Sequence, residues 1–138
     1  MNTKTPKQKL MQIKVDPKKD LEDFYHDVIN DSDLFKQHRC GYWLYGVERL
    51  AKGYLVWVDL EASTNKPSEK QCKLALAAVK SRKKLPTNFY VLDKSFAKRA
   101  WIEGVKEWGE RWYQSNNTDS DSYDYVVQCA IFGEQKFG

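Results

Sequence analysis

Apolar positions along this chain follow two periods, and each change of period marks an element. Leu21, Phe24, Tyr25, Val28 and Ile29 recur at helical spacing, so a first helix is predicted over Pro17–Asn30. Asp16 is its N-cap and Pro17 its first helical residue. Leu34 and Phe35 lie in a short turn beyond it. From Gly41 the runs Tyr42-Trp43-Leu44-Tyr45 and Tyr54-Leu55-Val56-Trp57-Val58 have the aromatic and β-branched composition of strands. With Gly46–Gly53 read as the connecting loop, they predict a β-hairpin. In its second strand Leu55, Trp57 and Asp59 share one face, and Tyr54, Val56, Val58 and Leu60 the other.

Ser68 with Gln71 is a capping-box pair opening a helix to about Lys83, with Cys72, Ala75, Leu76 and Val79 inward. Pro86 ends it, and Phe89-Tyr90-Val91-Leu92 predicts a third strand. Asp93 caps the next helix, where Phe96, Ala97, Ala100, Trp101, Gly104, Val105, Trp108 and Trp112 keep helical spacing for more than four turns. Gly104 in that row implies close packing of another element. After a polar loop, Gln114–Ser122, the stripe Tyr123, Val126, Val127, Ala130, Ile131 marks a last core-facing helix, with Gly133 where its end favours positive φ. The reading is a single α+β domain over residues 10–138, a small antiparallel sheet packed against about four helices, preceded by a flexible basic tail at 1–9.

Charge is unevenly placed in the 138-residue chain, whose net charge is +4. Four lysines and no acid occupy residues 1–15, while residues 16–65 carry ten acids and six bases. Residues 66–84 carry seven bases and one acid. Such blocks permit an anionic partner. Cys40, Cys72 and Cys129 are an odd count without a C-x-x-C pair, and no secretory signal or long apolar run is present, which places the protein in a reducing cytoplasm with no membrane partner.

Catalytic chemistry has little to draw on. There are two histidines, no P-loop and no G-x-G-x-x-G. His38, Cys40 and Cys72 supply at most three zinc ligands where a structural site uses four, and no third group orients a Cys-His nucleophile pair. Asp59, Glu61 and Glu48, with His26, are the residues a small metal-dependent hydrolase would use. No cofactor is implied, and the chain reads as a non-enzymatic binding protein.

Three candidate surfaces follow. Trp43 or Trp57 would stack a nucleotide-like anionic ligand, with Arg49 and Lys52 neutralising its phosphate. Lys80, Arg82, Lys83 and Lys84, with the basic tail, would bind nucleic acid. Arg111, Trp112 and Tyr113 have the composition of an interface anchor. Each feature also has a plain structural role: rings pack cores, and cations at a helix C-terminus complement its dipole.

Two segments, Cys40–Tyr45 (CGYWLY) and Asp124–Gly138 (DYVVQCAIFGEQKFG), resemble small uncharacterised proteins of tailed bacteriophages and prophages, which share a G-Y-W opening of a hairpin and a C-terminal VVQxAxFGE-type helix. The resemblance covers about a fifth of the chain and carries no catalytic residues. It implies an accessory protein of the host cytoplasm, acting in counter-defence by binding a host or phage macromolecule or by sequestering a nucleotide signal. Separately, a small anionic ligand is expected to be enclosed between the subunits of a homo-oligomer.

Overall fold

A computed structural model describes residues 17–30, 34, 39–63, 65–114 and 120–137. The basic tail, His38 and most of the turn after the first helix lie outside the described residues. The fold is α+β: four α-helices and a three-stranded antiparallel sheet of order β1-β2-β3 among the described residues. Helix α1 (Pro17–Phe24) runs on into a π-helical turn, Tyr25–Ile29, closed by the Asn30 N–H donating to Tyr25 O at 2.8 Å. A 3₁₀ turn, Arg39–Tyr42, leads into β1 (Leu44–Leu50) and β2 (Gly53–Val58). Then come α2 (Glu69–Lys80), β3 (Phe89–Leu92), α3 (Lys94–Trp108), a 3₁₀ turn (Trp112–Gln114) and α4 (Ser120–Phe132).

The sheet divides the apolar interior in two. Tyr54, Val56 and Val58 turn to the larger cluster, which joins Phe24, Val28 and Ile29 of the first helical segment, Phe96, Ala97 and Ala100 of α3, and Val126 and Val127 of α4. Leu55 and Trp57 turn the other way, to a smaller cluster under α2 with Cys72, Ala75, Leu76, Val79 and Phe89. Strand alternation therefore sorts β2 as its sequence predicts. Asp59 and Leu60 fall beyond the strand end, so their assignment to faces does not apply.

The hairpin is longer than its glycines suggest. β1 continues through Gly46–Leu50, and the turn is only Ala51–Lys52. Pairing shifts between Gly46↔Val56 and Glu48↔Leu55, leaving Val47 as a bulge. The extra residue lets Val47 and Leu50 both reach the smaller cluster despite their odd separation.

Helix α3 ends sooner than the aromatic row predicts. It stops at Trp108, and Gly109 at φ 96° turns the chain. Trp112 then folds back: its indole N–H donates to Trp101 O at 3.0 Å, and its ring lies against Gly104. A Cβ on Gly104 would collide with that ring, so the glycine marks a close approach, by the segment following the same helix. Helix propensity favours Gly104→Ala by about 1 kcal/mol. The collision reverses the sign, and we expect Gly104→Ala to destabilise by roughly 2 kcal/mol or more in urea denaturation, as overpacked cores do.

Two buried polar side chains on α4 organise the end of the chain. Asp124 is 2% exposed. Its Oδ1 accepts from the Trp43 indole N–H at 2.7 Å and the Cys40 thiol at 3.4 Å, and its Oδ2 from Gln128 Nε2 at 3.0 Å. The fully buried Gln128 also holds the returning chain: Oε1 accepts from the Lys136 and Phe137 amides, both at 2.7 Å, and Nε2 donates to Phe137 O at 3.1 Å. Phe137 thereby stacks on Trp43, centroids 5.4 Å apart. Trp43→Phe keeps an aromatic ring but removes one donor from a buried carboxylate; its expected cost is about 2–4 kcal/mol, read from the urea midpoint.

Candidate functional site

The residues proposed to stack a nucleotide do not converge. Trp43 is fully buried, with its N–H taken by Asp124 and its ring packed on Phe137 and Phe132. No face of it is open to a ligand, which corrects its placement in a binding site. Trp57 lies half-buried on the opposite side of the sheet, across from Tyr45 and Phe89. Arg49 pairs across the ladder with Tyr54 on the other face, its guanidinium 5.4 Å from the ring centroid. Lys52 is exposed in the hairpin turn. Sheet alternation sets Trp57 apart from Arg49, and the burial of Trp43 removes it from both.

The interface trio is also reassigned. Trp112 is 2% exposed, while Arg111 and Tyr113 are half-buried. Burial raises the Tyr113 phenol well above its ordinary value, and neighbouring Tyr123, Asp27, Asp23 and Asp20 add to the shift. The exposed tryptophan is Trp108, one turn earlier, 44% exposed and edge-on to Tyr125. Where the chain leaves the helix decides which of the two is covered.

The carboxylates and thiols are held by structural bonds. Asp59 closes the loop after β2: its carboxylate accepts from the amides of Glu61 and Ser63 at 3.0 Å and of Asn65 at 3.1 Å, and from Ser63 Oγ at 3.3 Å. Within that loop Ala62 takes a left-handed conformation, φ 50°. Glu61 and Glu48 are exposed, and His26 lies on the π-turn, 3.4 Å from Glu22. Cys40 and Cys72 lie in the two clusters on opposite sides of the sheet. Burial, and then the charge of Asp124, push the Cys40 thiol well up, so it remains a protonated donor. Among the described residues no group of three or more His, Cys, Asp or Glu is placed to hold a metal ion.

Helix α2 carries what the structure does assemble. Its start is fixed by the predicted capping box: Ser68 Oγ accepts from the Gln71 amide at 3.1 Å, and the Ser68 amide donates to Gln71 Oε1 at 3.0 Å. Its end is a Schellman turn, in which the Lys83 amide donates to Ala78 O at 2.9 Å and the Arg82 amide to Val79 O at 3.3 Å. Arg82 holds the left-handed position, φ 54°, that usually falls to glycine. The apolar stripe is spent on the sheet, so the opposite stripe faces solvent. Lys70, Lys73 and Lys80 lie along it, Lys66 precedes it, and Arg82, Lys83 and Lys84 follow, all exposed. The nearest acid, Glu69, is 3.6 Å from Lys73.

The basic cluster at Lys80–Lys84 is thus one end of a longer cationic face. Lys66, Lys70 and Lys73 belong to the same basic segment, 66–84, with their charges more diluted along the sequence. Lys70, Lys73 and Lys80 follow the helical repeat with a step at Ala77, and Lys66 and Lys84 lie beyond the two ends of the helix.

No protein family matches the chain, and no curated protein or solved structure matches it either. Among the described residues no helix is long and apolar enough to cross a membrane.

Asp59 gives a pH prediction. Its desolvation raises the carboxyl's pKa, but the amides of Asn65, Ser63 and Glu61 and the Ser63 hydroxyl outweigh it, and the net shift is downward. A carboxylate whose folded pKa is depressed adds stability above its unfolded pKa of roughly 3.9 and loses it as pH falls through the lower folded value. Stability should therefore decline below about pH 4, and Asp59→Asn should flatten that limb, measured as urea midpoints from about pH 3 to 6.

Proposed function

We propose that the protein is a non-enzymatic binding protein whose partner is a nucleic-acid duplex, held along the solvent face of α2. The observation that carries this reading is the set of seven cations against one acid over residues 66–84, with Lys70, Lys73 and Lys80 on a helix whose other face is fixed to the sheet and the others at its two ends. Its helical part, from Lys70 to Lys80, extends on the order of 15 Å at the rise of a helix. A duplex presents one phosphate charge per roughly 1.7 Å of its axis, so the face meets a dense row of anions.

The chemistry of the face selects the kind of nucleic acid. Binding to single strands uses exposed rings on which bases stack. Residues 66–84 contain no aromatic side chain, so phosphate neutralisation is the available interaction. Lysine presents a point charge rather than a bidentate fork, and Gln71 is occupied by the cap, so contacts to the backbone outweigh reading of base edges. The resemblance to phage accessory proteins supports a setting in counter-defence, where covering or sequestering a nucleic acid requires no catalytic group. Nucleotide stacking on Trp43 or Trp57 has no such support, because Trp43 is fully buried and Trp57 packs in the cluster under α2, on the face opposite Arg49.

Fluorescence anisotropy with a labelled duplex of about 20 base pairs, and a single strand of the same length, tests this at about 50–200 mM salt. With about five phosphates contacted, log affinity should fall against log salt with a slope near −4 to −5. Lys70→Glu with Lys73→Glu should weaken duplex binding at least about tenfold and make the slope shallower by about 2, whereas Lys98→Glu with Arg99→Glu on α3 should change it little. A slope shallower than about −1, or equal losses in the two variants, would refute the assignment.

A further inference from the structure

Among the seven cations over residues 66–84 one is an arginine, Arg82, and it stands where the backbone disfavours it. The Schellman turn closing α2 requires the left-handed conformation there, φ 54°, a region that glycine enters without steric cost. A residue with a Cβ is held in it against its own preference. The turn makes no use of the side chain. Its bonds come from backbone amides, Arg82 to Val79 O, Lys83 to Ala78 O, and Ser81 to Ala77 O at 3.0 Å. The Ser81 hydroxyl also donates to Ala77 O. The carbonyls of the last helical turn are therefore satisfied without the cations that follow, and hydrogen bonding to the helix end does not account for Arg82.

The guanidinium is open to solvent. Lys80–Lys84 are all exposed, and among the described residues no ion pair engages Arg82. Lys80 precedes it and Lys83 and Lys84 follow, so the turn carries cations on either side of it in sequence.

Size decides which groove of a duplex such a residue can enter. A helix with its side chains is about 10–12 Å across, whereas the minor groove of B-form DNA is about 6 Å wide. The body of α2 is excluded from that groove and stays on the phosphate backbone, while one extended side chain from a turn fits. Where A·T pairs narrow the groove, its negative potential is enhanced and attracts an inserted cation. Arginine suits this place better than lysine, because a guanidinium is more weakly hydrated than an ammonium and loses less on leaving water.

Resting on the reading of α2 as a duplex-binding face, we propose that Arg82 inserts into the minor groove of B-form DNA and gives that face a preference for A·T-rich sequence. The lysines hold the backbone without regard to sequence, and Arg82 reads the width of the groove and the absence of the guanine amino group. Double-stranded RNA, whose minor groove is wide and shallow, does not enclose the side chain. Glycine at this position would relieve the strain but remove the one group that discriminates.

The test is fluorescence anisotropy of the full chain with three labelled DNA duplexes of about 20 base pairs, differing only in a central block of A·T, G·C or inosine·cytosine pairs, and with an A·U-centred RNA duplex. Inosine lacks the minor-groove amino group of guanine but keeps its major-groove atoms, so it separates reading in the two grooves. The A·T block should bind at least about fivefold tighter than G·C and than the RNA, and the inosine block should follow A·T. Arg82→Lys keeps the charge, so it should leave the salt slope unchanged while reducing the A·T preference below about twofold. Arg82→Gly should raise the urea midpoint and weaken binding to the A·T block at least about threefold. The Lys70→Glu, Lys73→Glu variant should lose affinity for every duplex and keep the preference. Equal affinity for A·T and G·C, an inosine block that behaves as G·C, RNA bound as tightly as the A·T block, or an Arg82→Lys variant with the parent's preference would overturn this proposal and leave duplex binding by α2 standing. Absence of salt-dependent binding to every duplex would overturn both.

Discussion

The carboxylate of Asp124 is buried with three hydrogen-bond donors, an indole, a thiol and a carboxamide. Burying an ionised group is costly unless its lone pairs are satisfied. Trp43 and Cys40 come from the approach to β1, Gln128 from one turn further along α4, and all must be in place together. Gln128 passes the constraint on, since its remaining polar atoms bind the backbone of Lys136 and Phe137. The sheet edge, the last helix and the segment after Gly133 are thereby fixed to one another. The polar network gives directionality to an interior whose apolar contacts alone would tolerate sliding.

That arrangement ties together two distant segments of the chain. Cys40–Tyr45 and Asp124–Phe137 are far apart in sequence and form the two halves of this one network, through Cys40, Trp43, Asp124, Gln128 and Phe137. These residues close the fold, whereas the exposed cations of α2 lie on the far side of the sheet. A device for packing does not specify a ligand.

The sheet separates the proposed binding surface from the polar network as it separates the two clusters. Helix α2 alone covers one face, so its inner stripe must be apolar and its outer stripe is left to solvent and charge. The other face is covered by α1, α3 and α4.

Local chemistry was enough to predict four helical segments, though neither the π-turn at Tyr25–Ile29 nor the end of α3 at Trp108, and to predict the capping box at Ser68, the positive φ at Gly133 and the inward stripe of α2, because each of these depends on residues within one or two turns. It also determined which residues of β2 point together, since alternation is a property of the strand itself. Tertiary structure decided where each ring goes. Trp43 and Trp57 have equal stacking chemistry, but strand alternation and the placement of α4 bury one and put the other under α2. Trp112 continues the helical row only on paper, because Gly109 turns it back onto Gly104. The role of Asp124 was hidden for the same reason: a polar residue on an apolar helix reads as solvent-facing until the donors 81 and 84 residues away in sequence are brought to it. Which surfaces remain open follows only when every such long-range partner has been placed.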